Sequence, residues 1–116
     1  VRSEGIGGGS LRGLGAADDV TVGFWDTVER VYRNYRHQGL IEITSLDGNI
    51  AWREGEPIVH VHVTAFHETE GAFGGHLVSA SVSATVEIAI TRFDGRVTRE
   101  LGPEVGLPLL ALPRRP

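Results

Sequence analysis

The sequence predicts a single domain built mainly on mixed or antiparallel β-sheet, and three observations carry that expectation. A chain of 116 residues fits one domain with one modest core. Two stretches alternate with the period of a half-buried strand: Val20, Val22 and Phe24 share one side, and Val82, Ala84, Val86, Ile88 and Ile90 share another. Turn residues then punctuate the chain, with Asp47-Gly48-Asn49 and Asp94-Gly95 as the strongest hairpin signals.

The elements follow in order. Residues 1–12 form a glycine-rich lead-in, or a place where backbones cross closely; they lack the strand-and-helix frame of a phosphate cradle. Asp18 to Trp25 reads as a strand. Val28, Val31, Tyr32 and Tyr35 fit a helical stripe, but their valine and tyrosine content also suits a strand that Gly39 would end. Leu40 to Leu46 is a short strand, the Asp-Gly-Asn turn follows, and Ile50 to Trp52 resumes the run. A second turn at Arg53–Pro57 leads into a strand over Ile58–Phe66. His67 to Phe73 reads as a loop, and His76 to Phe93 as a long strand. Val97 to Leu101 is a last short strand. The apolar tail from Gly106 to Leu112, interrupted by Pro108, is expected to lie on the sheet or on a neighbouring subunit.

Composition removes several kinds of chemistry. There are no cysteines, hence no disulfides, thiol nucleophiles or thiolate ligands. All eleven basic residues are arginine, which excludes a Schiff-base lysine and the lysine of a phosphate loop. A formal net charge of −4 lacks the field that captures nucleic acid non-specifically. No apolar run has the length of a membrane span and no secretory signal pattern opens the chain, so the expected location is the cytoplasm. There is no Gly-x-Ser-x-Gly elbow. Ser79, Ser81 and Ser83 read as one polar sheet face, and Arg30, Arg33 and Arg36 with Tyr32 and Tyr35 as a solvated edge with arginine stacked on tyrosine.

The chemistry concentrates in the histidines. On a strand, His60 and His62 point to one side while Val59, Val61 and Val63 point to the other. His76, after Gly74-Gly75, starts the next strand, where a glycine-hinged turn would bring it beside the first pair. Three imidazoles suit a zinc ion with its fourth position open to water or a substrate oxygen, although a polar sheet face with ordinary carbonyl partners explains the same residues. Iron, nickel or copper suit imidazole as well. A carboxylate would serve such a centre as a proton shuttle, and Glu42 and Glu87 are the candidates because both lie inside strand patterns. His67, out of step with His60 and His62, reads as a solvated loop residue, and His37 as exposed.

Several segments in this order carry a resemblance. They are Gly13-Leu14-Gly15-Ala16 leading into Val20-Thr21-Val22-Gly23, Glu42 to Ile50, Pro57 to Val63, Gly74-Gly75-His76-Leu77-Val78, Ala84 to Ile88, and Gly106 to Leu110. Together, from about Gly13 to Leu112, they resemble the plants-and-prokaryotes-conserved (PPC) domain. The resemblance implies an α+β domain, similar in fold to acetolactate decarboxylase, that assembles as a homotrimer. It implies a metal, usually zinc, held by His60, His62 and His76, and it favours a strand over Val28–Tyr35. Family members carry a helical segment ahead of the glycine-rich stretch, whereas almost nothing here precedes Gly5. Plant members add AT-hook motifs. No such core occurs in this chain, and Pro113–Pro116 is a poor substitute.

Three functions are expected on this reading. The first is a zinc-dependent lyase or hydrolase acting on a small polar molecule. The second is a DNA-associated regulatory module, which the acidic charge and the missing hook disfavour. The third is a trimer that binds a metal or ligand without turnover. Residues 13–112 form the domain and 113–116 the tail.

Overall fold

The computed structural model describes residues 1–113. Four long strands form a closed barrel: β1 (Gly9–Asp26), β2 (Val31–Arg53), β3 (Glu56–His67) and β4 (Gly71–Arg92), in the order β1-β2-β3-β4 and antiparallel throughout. Two short strands, β5 (Arg99–Gly102) and β6 (Leu107–Leu110), make a separate antiparallel pair. Among the described residues there is no helix, so the structure supplies no helical part for the α+β class. Nor is there a helix long and apolar enough to cross a membrane. The tail beyond Pro113 lies outside the described residues.

The stripe at 28–35 resolves as a turn followed by the start of β2. Asp26 decides this. Its Oδ1 accepts hydrogen bonds from the backbone N–H of Val28 and Glu29, both at 2.9 Å, and its Oδ2 accepts from Arg33 at 2.7 Å. This capture closes an Asx-type turn, and Arg30, at a φ of 54°, leaves the helical region and leads into β2. These bonds, the one from Glu29 foremost, hold the Asp26 carboxyl below its usual range. Arg36 does the same for Asp19. Arg33 and Arg36 therefore pair with aspartates rather than stacking on tyrosines.

Two expected breaks in β2 are absent. The strand runs through Gly39 and through Asp47-Gly48-Asn49 without turning. Each residue of the supposed turn serves the sheet instead. Asp47 lies 3.7 Å from Arg12. Gly48 lies so close to β3 that a Cβ there would stand 2.2 Å from the His60 carbonyl oxygen. Asn49 offers its side-chain oxygen to Arg99. Similarly, β1 begins at Gly9, inside the glycine-rich lead-in, and Gly74 and Gly75 lie within the β3–β4 ladder, where Thr64 and Val63 oppose them. The turn at 53–57 forms as expected, with Glu54 and Gly55 both at positive φ.

The core fills the barrel. Ala17, Val20 and Val22 of β1 meet Ile41, Ile43 and Leu46 of β2 and Val63 and Ala65 of β3. Completely buried aliphatic side chains such as Val20 and Ile41 each stabilise the fold by about 1.5–3 kcal/mol. By contrast, the alternating row on β4 stays mostly outside: Val86 packs against the core, but Val82, Ile88 and Ile90 are about half exposed.

Candidate metal centre

Alternation along β3 sends Val61, Val63 and Ala65 into the barrel. His60 and His62 therefore face outward, as expected from their spacing. His76 of β4 is directly opposite His62, and this is the last pair before β3 and β4 separate. Beyond it, β4 continues along β1 while β3 stays with β2. The histidines thus sit at the fork between two diverging strands, and the β5–β6 hairpin covers the opening. Bonds from outside hold that hairpin in place. The Trp25 indole N–H donates to the Val105 carbonyl at 2.9 Å, Arg30 donates to the Pro103 carbonyl at 2.9 Å, and the Trp52 N–H donates to Val97 just before β5 at 2.8 Å.

The three rings converge. Centroids of His60 and His62, and of His60 and His76, are 5.1 Å apart, and those of His62 and His76 are 5.6 Å apart. One nitrogen from each ring lies within 4.8 Å of the others. A tetrahedral zinc site needs roughly 3.3 Å between ligand nitrogens, so small side-chain rotations would close the set. The donor set fits a borderline ion such as zinc. His76 also supplies a more specific sign, because its Nδ1 is buried with no hydrogen-bond partner. Such a nitrogen loses its water without compensation unless something else takes its place. Tyr32 stacks on the same ring at 5.1 Å and fixes its plane.

Burial lowers the pKa of His60, helped by the nearby Arg99 guanidinium and by the other two imidazoles. Burial, then His62, does the same for His76. Both rings thus favour the neutral form that can ligate a metal.

Sequence reasoning missed Arg99. It is 8 % exposed, the more deeply buried of the two buried polar side chains among the described residues. Its guanidinium donates to the Asn49 side-chain oxygen at 2.7 Å and to the Pro108 carbonyl at 3.0 Å, and lies 3.2 Å from His60 Nδ1. With Tyr32, Val59, His60, His76 and Leu107 it lines a cavity of about 280 Å³. Nothing local in the sequence distinguished this arginine from ten others.

The remaining candidates lie elsewhere. Glu42 opposes Phe66 at the far end of β3 and is exposed. Glu87 opposes Leu14 on β1, eleven residues along β4 from His76, and lines a different groove with Arg12 and Asp47. Neither belongs to the histidine cluster. His67 is not a solvated loop residue. It ends β3 on the inward side, 9 % exposed, with Nε2 2.7 Å from the Gln38 carbonyl and Nδ1 accepting from the Thr69 and Glu70 amides. His37 is half-buried and stacked on Phe73 at 3.8 Å.

Solved structures share this architecture. A plant- and prokaryote-conserved protein from Pyrococcus horikoshii is 30 % identical with a TM-score of 0.89, over 98 % of this chain and 79 % of its own. A metal-containing protein from Archaeoglobus fulgidus is 28 % identical with a TM-score of 0.87, over 96 % and 79 % of the two chains. A protein from Ralstonia eutropha JMP134, named as a candidate DNA-binder, is 33 % identical with a TM-score of 0.89, over 97 % and 78 %. No functionally curated protein matches the sequence. Residues 1–94 match the profile of the Plants and Prokaryotes Conserved (PCC) domain, and the chain belongs to that family.

Proposed function

We propose that this protein binds a divalent transition metal, zinc in the first instance, through His60, His62 and His76, and presents it to a small molecule in the cavity beneath the β5–β6 hairpin. The observation that carries the reading is the buried, unpartnered Nδ1 of His76 inside a set of three converging imidazoles. The metal-containing relative from Archaeoglobus fulgidus supports it. Three neutral ligands leave the double charge of such an ion largely intact, so that it supplies a Lewis acid at the cavity floor. The protein's own groups hold and orient: Tyr32 fixes the His76 ring, Arg99 borders the site, and the hairpin limits access of water. The reaction class in view is a lyase or hydrolase step, with a ligand-sensing role as its non-catalytic counterpart.

The assembly we propose is a homotrimer. Its support is the family resemblance together with the apolar row of Leu14, Val82, Ile88 and Ile90, which a single chain leaves about half exposed. Glu42 or Glu87 serves as a proton shuttle only where a neighbouring protomer carries it to the cavity.

Metal titration against a chromophoric chelator tests the reading. Wild type takes up one equivalent of zinc per chain and His60→Ala does not; equal uptake by both proteins would contradict it. The second reading, association with DNA, is favoured by the name of the Ralstonia relative. It requires affinity that falls steeply with salt. The net charge of −4 and the pairing of Arg33 and Arg36 with aspartates weigh against it.

A further inference from the structure

We infer that the cavity beside the three histidines takes a small monocarboxylate with a short apolar body, its carboxylate bound between the metal and Arg99. The inference rests on the metal-site reading above. It begins with an imbalance of charge. Arg99 is buried, and among the described residues no carboxylate lies within 4.0 Å of it. Its Nε is buried without a hydrogen-bond partner. A buried guanidinium held by an amide oxygen, a carbonyl and a neutral imidazole nitrogen lacks the counter-charge that such a group ordinarily has.

Metal binding sharpens the imbalance. A guanidinium only donates, so its 3.2 Å contact with His60 Nδ1 uses the single lone pair of a neutral imidazole. A metal ligated by His60 claims that lone pair, and the ring's other nitrogen then carries a proton. Arg99 loses one acceptor at the moment a second positive charge arrives beside it. A carboxylate answers both demands: one oxygen suits the ion's open position, and the other accepts from the guanidinium. The walls supply the rest of the specificity. Tyr32, Ile58, Val59, Leu107 and Leu109 are largely apolar, and about 280 Å³ is at the small end of ligand cavities. A phosphate would meet the same charge but gain nothing from those walls.

The test uses cobalt as a visible reporter and butyrate as the probe. Butyrate should shift the d–d spectrum of the cobalt-loaded protein saturably, and calorimetry should give the same affinity. Arg99→Gln should bind cobalt as wild type does while binding butyrate roughly tenfold more weakly or worse. Arg99 also ties the hairpin to β2, so a second variant keeps it in place. Asn49→Asp is nearly isosteric and sets an internal carboxylate against the guanidinium, and it should weaken butyrate several-fold. Unchanged butyrate affinity in both variants, or inorganic phosphate displacing butyrate at lower concentration, would overturn the carboxylate assignment alone. Absence of a cobalt spectrum in wild type would overturn the metal reading and this inference together.

Discussion

Two histidine environments lie at opposite ends of the β3–β4 pairing, and they differ in one respect. His67 closes the strand with every ring nitrogen engaged: Nε2 faces the Gln38 carbonyl, and Nδ1 receives the Thr69 and Glu70 amides. At the other end, His76 buries a nitrogen that nothing satisfies, while His60 shares its lone pair with an arginine. Burial of a histidine is thus no sign of function in itself. A satisfied ring holds a turn, whereas unsatisfied rings that converge ask for a ligand.

The comparison breaks most visibly through metal affinity. Removing one of three ligands should weaken zinc binding more than loss of an outer partner would, by on the order of 100-fold or beyond. His76→Ala should show this loss in a chelator competition and His67→Ala should not. If both variants lose zinc equally, the two environments are not distinct. Stability should respond in the opposite sense. His67→Ala leaves the Gln38 carbonyl and two turn amides without partners and should cost about 2 kcal/mol in denaturant unfolding. His62→Ala, at an exposed position, should change stability little in metal-free protein.

Gly48→Ala tests whether the strands must approach closely behind the site. Its Cβ would meet the His60 carbonyl at 2.2 Å and push β3 away. The variant should lose about 1–3 kcal/mol, as overpacked sites do, and bind zinc more weakly although no ligand has changed.

Acid should sharpen the contrast further. The folded state keeps His60 and His76 neutral below the ordinary imidazole value of 6.5, because burial lowers both. Unfolding therefore takes up protons in that range, and stability of the metal-free protein falls as pH drops below about 6.5. Above it, these two groups contribute no pH dependence. His60→Gln should flatten this acid limb in unfolding curves measured at stepped pH. The smallest effect is expected at the two glutamates: Glu42→Gln and Glu87→Gln should retain zinc in full, since neither reaches the cluster within one chain.

The legibility of the molecule in its sequence follows from the range of the forces involved. Period-two alternation is local, so it placed His60 and His62 on one side of β3 and Val61 and Val63 on the other correctly, whereas Val59 is half exposed and lines the cavity. The same alternation held the clue to His67, which follows Val61, Val63 and Ala65 on the inward side, yet its acidic neighbours suggested solvent. The Asp-Gly-Asn signal misled because Gly48 is required by the approach of another strand, a reason that no local window contains. Arg99 was invisible for the same cause. It reaches His60 across 39 positions through a hairpin pinned by Trp25, Arg30 and Trp52, and only tertiary structure brings them together.

The central claim is that one ion sits among three imidazoles at the fork of β3 and β4. Anomalous diffraction from zinc-loaded crystals, collected at the zinc edge, tests it most directly. The account predicts one peak per chain, about 2.0–2.1 Å from a nitrogen of each of His60, His62 and His76. A peak centred on other residues, or none at the fork in zinc-saturated crystals, would contradict it.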